Sequence, residues 1–239
     1  MKLLITNLSN YKDKDGIITG FNETGTFSIL AKGILNPKSK NACINNPMTY
    51  IDLELNNNTK TKYDVLKSAE IIFTPLELIG KLNYLAMVLL LDEFCIKCLN
   101  DEEKTSLYKD IVNFLKGFKK NKKPRFDFLN LTAKILHTSG YAFDIDECCV
   151  CGSKKEIVGF SMSDGGFICK ECLINNDDSN YTKEELIWIR KIFKLNMPEK
   201  VIIEEDIDNK TFKKLLKMMI IFIEDNYGLK IKNIELIVD

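Results

Sequence analysis

The chain has 239 residues, 45% of them hydrophobic and 28% charged, which is enough apolar material for one large domain or two modest ones and excludes a disordered chain. Thirty-four Lys and Arg stand against 34 Asp and Glu, so no global field draws the protein to a polyanion and any nucleic-acid contact must be local. Met1–Thr6 lacks the apolar core and cleavage signal of a secretion leader, so a cytoplasmic protein is expected, in which eight cysteines favour thiols and metal ligands over disulfides.

From Leu3 to about Phe73 the pattern is short β-prone runs divided by turn residues: Leu3–Thr6, Gly16–Thr19, Thr26–Leu30, Thr49–Leu55 and Val65–Phe73. Alternation is clearest in Tyr50–Leu55, with Asp52 and Glu54 on one face and apolar side chains on the other. Strands at this spacing predict a small closed or nearly closed barrel.

The period then changes. Thr74-Pro75-Leu76-Glu77 reads as a helix start with a capping box, followed by Ile79, Leu82, Leu85, Ala86 and Leu89 at helical spacing. The longest apolar run, Tyr84–Leu91, ends at Asp92-Glu93, short of the roughly 20 residues a spanning helix needs, so a buried helix is expected and no membrane contact. Further helices are predicted over Glu102 to about Phe118, with Leu107, Ile111, Phe114, Leu115 and Phe118 inward, and over about Phe126 to Ser139, closed by Gly140. After a polar loop at Asn175–Asn180, Thr182 and Glu185 form a capping box for a helix through about Leu195. A last helix, about Lys210 to Tyr227, buries Phe212, Leu215, Leu216, Met219, Phe222 and Ile223 and stops at Gly228.

Cys148 and Cys151, then Cys169 and Cys172 after a gap of 17 residues, give two C-x2-C pairs at the spacing of a four-cysteine zinc site. Gly152, Gly165 and Gly166 permit tight turns, and Ile157–Phe160 could pair with Gly166–Ile168 as a hairpin. A segment this small has almost no core, so a structural Zn2+ is expected to fold it; a metal-free relic or a disulfide are the alternatives. Cys149 could replace Cys148, at the less usual C-x-C spacing. Four thiolates leave no open position for catalysis.

Other candidates are weaker. Cys95 and Cys98 share a face of a helix and read as buried thiols rather than a redox pair, and Cys43 stands alone in a polar loop. His137, the sole histidine, lies beside Ile135 and Leu136 and reads as a packing residue. Asp144, Asp146 and Glu147 form an acidic cluster that would serve a metal-dependent nuclease only with distant partner carboxylates. No phosphate-binding glycine loop, dinucleotide fingerprint or deaminase signature is present, so no enzyme is expected.

Two basic stretches could contact phosphates. Lys116–Arg125, holding Lys119, Lys120, Lys122, Lys123 and Arg125, links two helices and could equally be a solvated loop. Lys32–Lys40, with Lys32, Lys38 and Lys40 and with Lys14 nearby, leaves a barrel strand close to Tyr11, Phe21 and Phe27; a basic groove with an aromatic platform is how such barrels take single strands.

Several of these segments together resemble a bacterial family, the recombination mediator RecO. Tyr11–Ile18, Glu23-Thr24-Gly25, Ala31-Lys32-Gly33 and Pro37-Lys38-Ser39-Lys40 are similar to its opening barrel and basic loop. Leu131–Leu136, Ser139-Gly140-Tyr141, Asp146–Gly152, Phe160-Ser161, Gly165–Cys169 and Asp225–Lys232 follow in the family's order. The resemblance implies an α+β multidomain architecture: an N-terminal OB-fold at 1–75, a helical domain at 76–147 and 175–239, and a zinc-finger insertion at 148–174. It implies binding of single- and double-stranded DNA, annealing of complementary strands, and action with RecR in loading RecA onto DNA coated by single-strand-binding protein, whose C-terminal tail docks on the mediator. The protein would be a monomer when alone, without catalytic turnover. Where relatives often carry two arginines in the basic loop this chain has Ile34-Leu35-Asn36, and Gly16 stands where a lysine is frequent; Lys119 to Arg125 would then share the DNA contact. The rival readings are a zinc-ribbon transcription or translation factor and a metal-dependent nuclease.

Overall fold

The computed structural model describes residues 1–56, 62–118, 120–174, 180–194 and 205–238. The chain forms two compact units, one of Met1–Lys120 with Ile231–Asp239 and one of Asn121–Lys230.

The first unit opens with five strands, β1 (Lys2–Asn10), β2 (Gly16–Asn22), β3 (Gly25–Ala31), β4 (Tyr50–Asn56) and β5 (Asp64–Phe73), closed into a barrel in the order β1-β2-β3-β5-β4. All pairs are antiparallel except the seam, where Ile29 and Leu30 of β3 run parallel to Asp64 and Val65 of β5. Leu3, Ile5, Ile18, Ile29, Ile51, Leu53 and Leu66 fill the interior, while Asp52 and Glu54 face outward as the alternation predicted. Gly20 is required where it stands, because a Cβ there would lie 2.4 Å from the Leu4 carbonyl oxygen.

Two long helices follow in this unit, α1 (Leu82–Lys97) and α2 (Asp101–Gly117). Asn100 caps α2, accepting from the Glu103 N–H while the Glu103 carboxylate accepts from the Asn100 N–H. Helix α2 covers the outside of β2 and β3, which explains why Phe21 is buried away from the barrel interior: it meets Tyr108 edge to face at 6.2 Å. Glu93 of α1 is buried and accepts from Lys97 at 2.6 Å and from the N–H groups of Lys232 and Asn233 at 2.9 Å. Burial alone would raise its pKa, but these donors hold it below the usual value and fasten residues 231–238, including the short α6 (Glu235–Val238), to α1.

The helix expected from Thr74 begins later. Pro75–Leu78 is a single 3₁₀ turn, Thr74 makes no capping bond, and Gly80 at φ +92° breaks the chain direction before α1 starts. Ile79 and Leu82 are consequently 72% and 75% exposed rather than inward. The capping signal is outweighed by a glycine in a conformation that no helix continues through.

The second unit holds α3 (Pro124–Thr138), α4 (Lys183–Phe193) and α5 (Asn209–Tyr227) with a small sheet of β6 (Asp144–Cys148), β7 (Ile157–Ser161) and β8 (Gly166–Cys169). Helix α3 packs on both others, with Phe128 against Phe212 and Asn130 donating to the Ile192 carbonyl at 2.7 Å. Gly140 ends α3 as expected, its N–H reaching the His137 carbonyl and that of Tyr141 the Leu136 carbonyl. Both bonds of the Thr182–Glu185 capping box form. The expected end of this helix near Leu195, and most of the polar loop at Asn175–Asn180, fall outside the described residues. Among the described residues no helix is long and apolar enough to cross a membrane.

Candidate metal centre and nucleic-acid interface

The predicted hairpin forms between β7 and β8, and β6, which no sequence pattern announces, joins it in parallel to β8. The approach is close: a Cβ on Gly166 would lie 2.2 Å from the Asp144 carbonyl oxygen. At the end of this sheet two tight knuckles turn, one held by the Gly152 N–H on the Cys148 carbonyl at 2.8 Å and the other by the Cys172 N–H on the Cys169 carbonyl at 3.1 Å. Gly152 takes φ +73°, a region costly to any residue with a Cβ.

The four thiols of Cys148, Cys151, Cys169 and Cys172 come together within 4.8 Å of one another. Cys149 is not among them; its N–H is bonded to the Phe167 carbonyl. Sγ of Cys151 and Cys169 are 3.7 Å apart, close to the edge of about 3.8 Å that a tetrahedron with metal–sulfur bonds of roughly 2.3 Å would have. Burial raises the Cys148 thiol, but backbone hydrogen bonds from Cys169, Cys151 and Val150 outweigh it and bring the group to about 6. Cys172 is pushed the other way, to about 12, first by its hydrogen bond to Cys151 and then by burial. Cys148 thus favours the thiolate while Cys151 and Cys172 resist ionisation, and a divalent cation would supply the charge compensation that neighbouring thiolates require. Donor set, spacing and geometry fit a structural metal ion and are compatible with zinc.

The remaining cysteines have no such role. Cys95 and Cys98 are buried at the end of α1; burial pushes Cys95 far up and Cys98 to about 12, so both are inert thiols. Cys43 is exposed. His137 is exposed on α3, not the packing residue expected from its neighbours: positions 135 and 136 face the core and 137 is carried past it by the helical turn. Asp146 pairs with Arg190 at 2.6 Å, and Asp144 caps its own turn by accepting from the N–H groups of Asp146 and Glu147. Among the described residues no metal-competent carboxylate cluster accompanies them.

In the barrel unit, Lys14, Lys32, Lys38 and Lys40 are all exposed on loops that are tied together. The Asp15 carboxylate accepts from the Gly33 N–H at 2.7 Å and the Lys14 carbonyl from the Leu35 N–H at 3.0 Å. Ile34 is fully buried in the barrel core. A Cβ on Gly16 would lie 2.9 Å from the Ile34 side chain, so the glycine leaves room for Ile34 to pack. The aromatic platform is not the one expected. Phe21 lies under α2 and Phe27 is half-buried against the barrel core, leaving Tyr11 exposed beside Tyr63, which no local sequence pattern marks.

In the other basic stretch, Lys120 and Lys122 are exposed, while Lys119 lies outside the described residues. Lys123 pairs with Asp127 at 3.3 Å and covers the Phe126 ring, and Arg125 binds Asp206 at 3.4 Å and the Ile207 carbonyl at 3.1 Å. Both of these cations thus have internal partners in the second unit.

A closed five-stranded barrel with a lysine-bearing loop, in a chain whose helical part carries a four-thiol knuckle, defines a metal-knuckle protein of the barrel-and-helix class. The chain belongs to the RecO family: residues 80–234 match the family model described as "Recombination protein O C terminal". It is similar along most of its length to proteins named "DNA repair protein RecO". That of Clostridium novyi is 24% identical over 98% of this chain and 91% of its own length. Those of Oceanobacillus iheyensis and Caldanaerobacter subterraneus subsp. tengcongensis are 25% and 27% identical, covering 80% and 77% of this chain and 74% of each relative.

Proposed function

We propose that this chain is a recombination mediator in DNA repair, a protein that assembles partners and turns over no substrate. The single observation that carries the reading is family membership through residues 80–234 in a chain that also presents exposed lysines on a closed barrel. In this reading the barrel, residues 1–75, is the DNA-binding domain, with Lys14, Lys32, Lys38 and Lys40 on the sugar-phosphate chain of single or double strands. Lys119, Lys120, Lys122, Lys123 and Arg125 form a second contact, to which Lys123 and Arg125 contribute only by exchanging their carboxylate partners for phosphate. The insertion at 148–174, between the helical parts at 76–147 and 175–239, holds one structural Zn2+ on Cys148, Cys151, Cys169 and Cys172 and braces the helices of its own unit.

The partners of the cytoplasmic, monomeric protein are RecR and the C-terminal tail of single-strand-binding protein. Its action is to anneal complementary strands and to help RecA onto coated DNA. Lysine–phosphate contact makes binding fall with salt, at a log–log slope of about −0.7 per contact for single strands. The test is annealing of complementary oligonucleotides coated with single-strand-binding protein, with and without this chain. Acceleration that fades with salt is expected; unchanged annealing removes the proposal.

A further inference from the structure

We infer that the end of the barrel marked by Tyr11 and Tyr63 is a stacking site for unpaired nucleobases, so that single strands are held there by their bases and not by backbone charge alone. The inference rests on the DNA-binding reading of the barrel and adds to it a ligand chemistry and two residues that bear it.

Tyr11 directly follows β1 and is 42% exposed; Tyr63 directly precedes β5. The two rings meet edge to face with centroids 6.1 Å apart and planes at 81°. Each has a lysine from its own chain neighbour over its ring, Lys12 Nζ at 5.4 Å from the Tyr11 centroid and Lys62 Nζ at 5.7 Å from that of Tyr63. Two aromatic-lysine pairs distant in sequence thus converge at one place. The place is fixed: the N–H groups of Tyr11 and Lys12 both bond to the Asp15 carbonyl, and the Asp15 carboxylate holds the Gly33 N–H of the lysine loop.

The balance of charge decides what such a site can hold. Lys12, Lys14, Lys32 and Lys62 are exposed here, but so are Asp13 and Asp64, with Asp15 half-buried between them. Phosphate attraction net of three nearby carboxylates, screened over about 8 Å at physiological salt, is weak. Stacking on an aromatic face is little affected by those acids and strengthens binding about five-fold or more per base. An ammonium over a ring is held loosely at an exposed site. A base arriving on the ring face displaces it toward the phosphate of the same nucleotide, so one aromatic-lysine pair serves one nucleotide. A paired base in a duplex offers no free face, so the site selects single strands.

The experiment compares binding of the full chain to a labelled oligothymidylate and to an abasic strand of equal length by fluorescence anisotropy. The wild type is expected to bind the thymidylate about five-fold or more tighter. A Tyr11→Leu, Tyr63→Leu double variant should bind both strands alike, with the salt slope of the wild type, and the corresponding Phe variant should keep the discrimination. Equal binding of the two strands by the wild type overturns the inference, as does discrimination that survives in the leucine variant. Salt-dependent binding of the abasic strand in either case leaves the lysine-backbone reading standing, whereas no binding to any strand in dilute buffer removes both. Should the leucine variant fail to fold by circular dichroism, the wild-type comparison of strands decides alone.

Discussion

The molecule contains two small β-structures that achieve stability in different ways. In the barrel every strand is paired on both sides, and closure encloses ten buried apolar residues from Leu3 to Leu66. The knuckle sheet has three strands of four or five residues, an open edge, and four thiols at its tip. Its apolar support includes an aromatic stem in which Phe160 lies within 6.0 Å, ring centroid to centroid, of Phe143, Phe167 and Phe193. Closure gives the barrel a core of its own, while the sheet has the helical body at one end and, at the other, four thiols positioned to hold a metal ion that would brace it.

Metal removal should break this comparison most widely. Binding in comparable zinc peptides is worth on the order of 10–16 kcal/mol, far more than a sheet of this size can supply alone. Chelation, or a Cys148→Ser, Cys169→Ser double change, should abolish amide protection across 148–172 while β1 to β5 keep theirs in hydrogen exchange. Loss of protection in both regions would mean that the barrel is not self-sufficient. Next in size is the other support of the sheet. Phe160→Ala empties the middle of the aromatic stem and should cost about 3–5 kcal/mol, read as faster exchange in β7 and in α4 and α5 of the second unit with zinc content retained. Unchanged exchange would remove the stem from the account.

The same contrast explains how much is legible in the sequence. The barrel's strands each carry their own turn residues and apolar runs, so all five can be located to within a few residues, and the two C-x2-C pairs announce the thiol cluster through spacing alone. What escapes depends on partners distant in sequence. Strand β6, with Asp144, Asp146 and Glu147 among five residues, has no apolar pattern and forms only because Gly166 admits the Asp144 backbone. Tyr63 counts as a site residue only once the barrel seam brings it to Tyr11. Phe21 reads as a surface platform because nothing local says that α2 will lie over it. Ile34 reads only as a departure from the arginines of the resembled family, although it is buried in the barrel core beside Gly16.

A third prediction sharpens the contrast by its dependence on pH. Asp92 of α1 has a buried carboxylate oxygen, Oδ1, without a hydrogen-bond partner. Burial first, and the neighbouring Glu93 charge second, raise its pKa from 3.8 to about 7. The folded state therefore binds this proton more tightly than the unfolded state does. The resulting stability is present in full below pH 3.8 and is lost as pH rises through about 7. Asp92→Asn should flatten that fall in the barrel unit, with a gain at pH 8 of a few kcal/mol, since each tenfold difference in proton affinity between the two states is worth about 1.4 kcal/mol. Denaturant melts followed in the barrel unit at pH 5 and pH 8 check it; a slope unchanged by the substitution would show that Asp92 ionises without cost.

The smallest effect is expected at Asp146, and it bears on the nuclease reading of the acidic cluster. Its ion pair with Arg190 is short at 2.6 Å, but both side chains are more than half exposed, and exposed pairs contribute about 0–1 kcal/mol. Asp146→Ala should therefore move stability by less than about 1 kcal/mol and leave zinc content and strand annealing unchanged, because Asp146 neither ligates the metal nor lies in the barrel. A nuclease centred on this cluster would behave otherwise: wild-type protein would degrade labelled DNA with added Mg2+ or Mn2+, and the same substitution would abolish it. Its carboxylate instead faces Arg190 and Lys194 at 2.6 and 3.8 Å, two cations that oppose the approach of a third, so degradation is expected from neither protein.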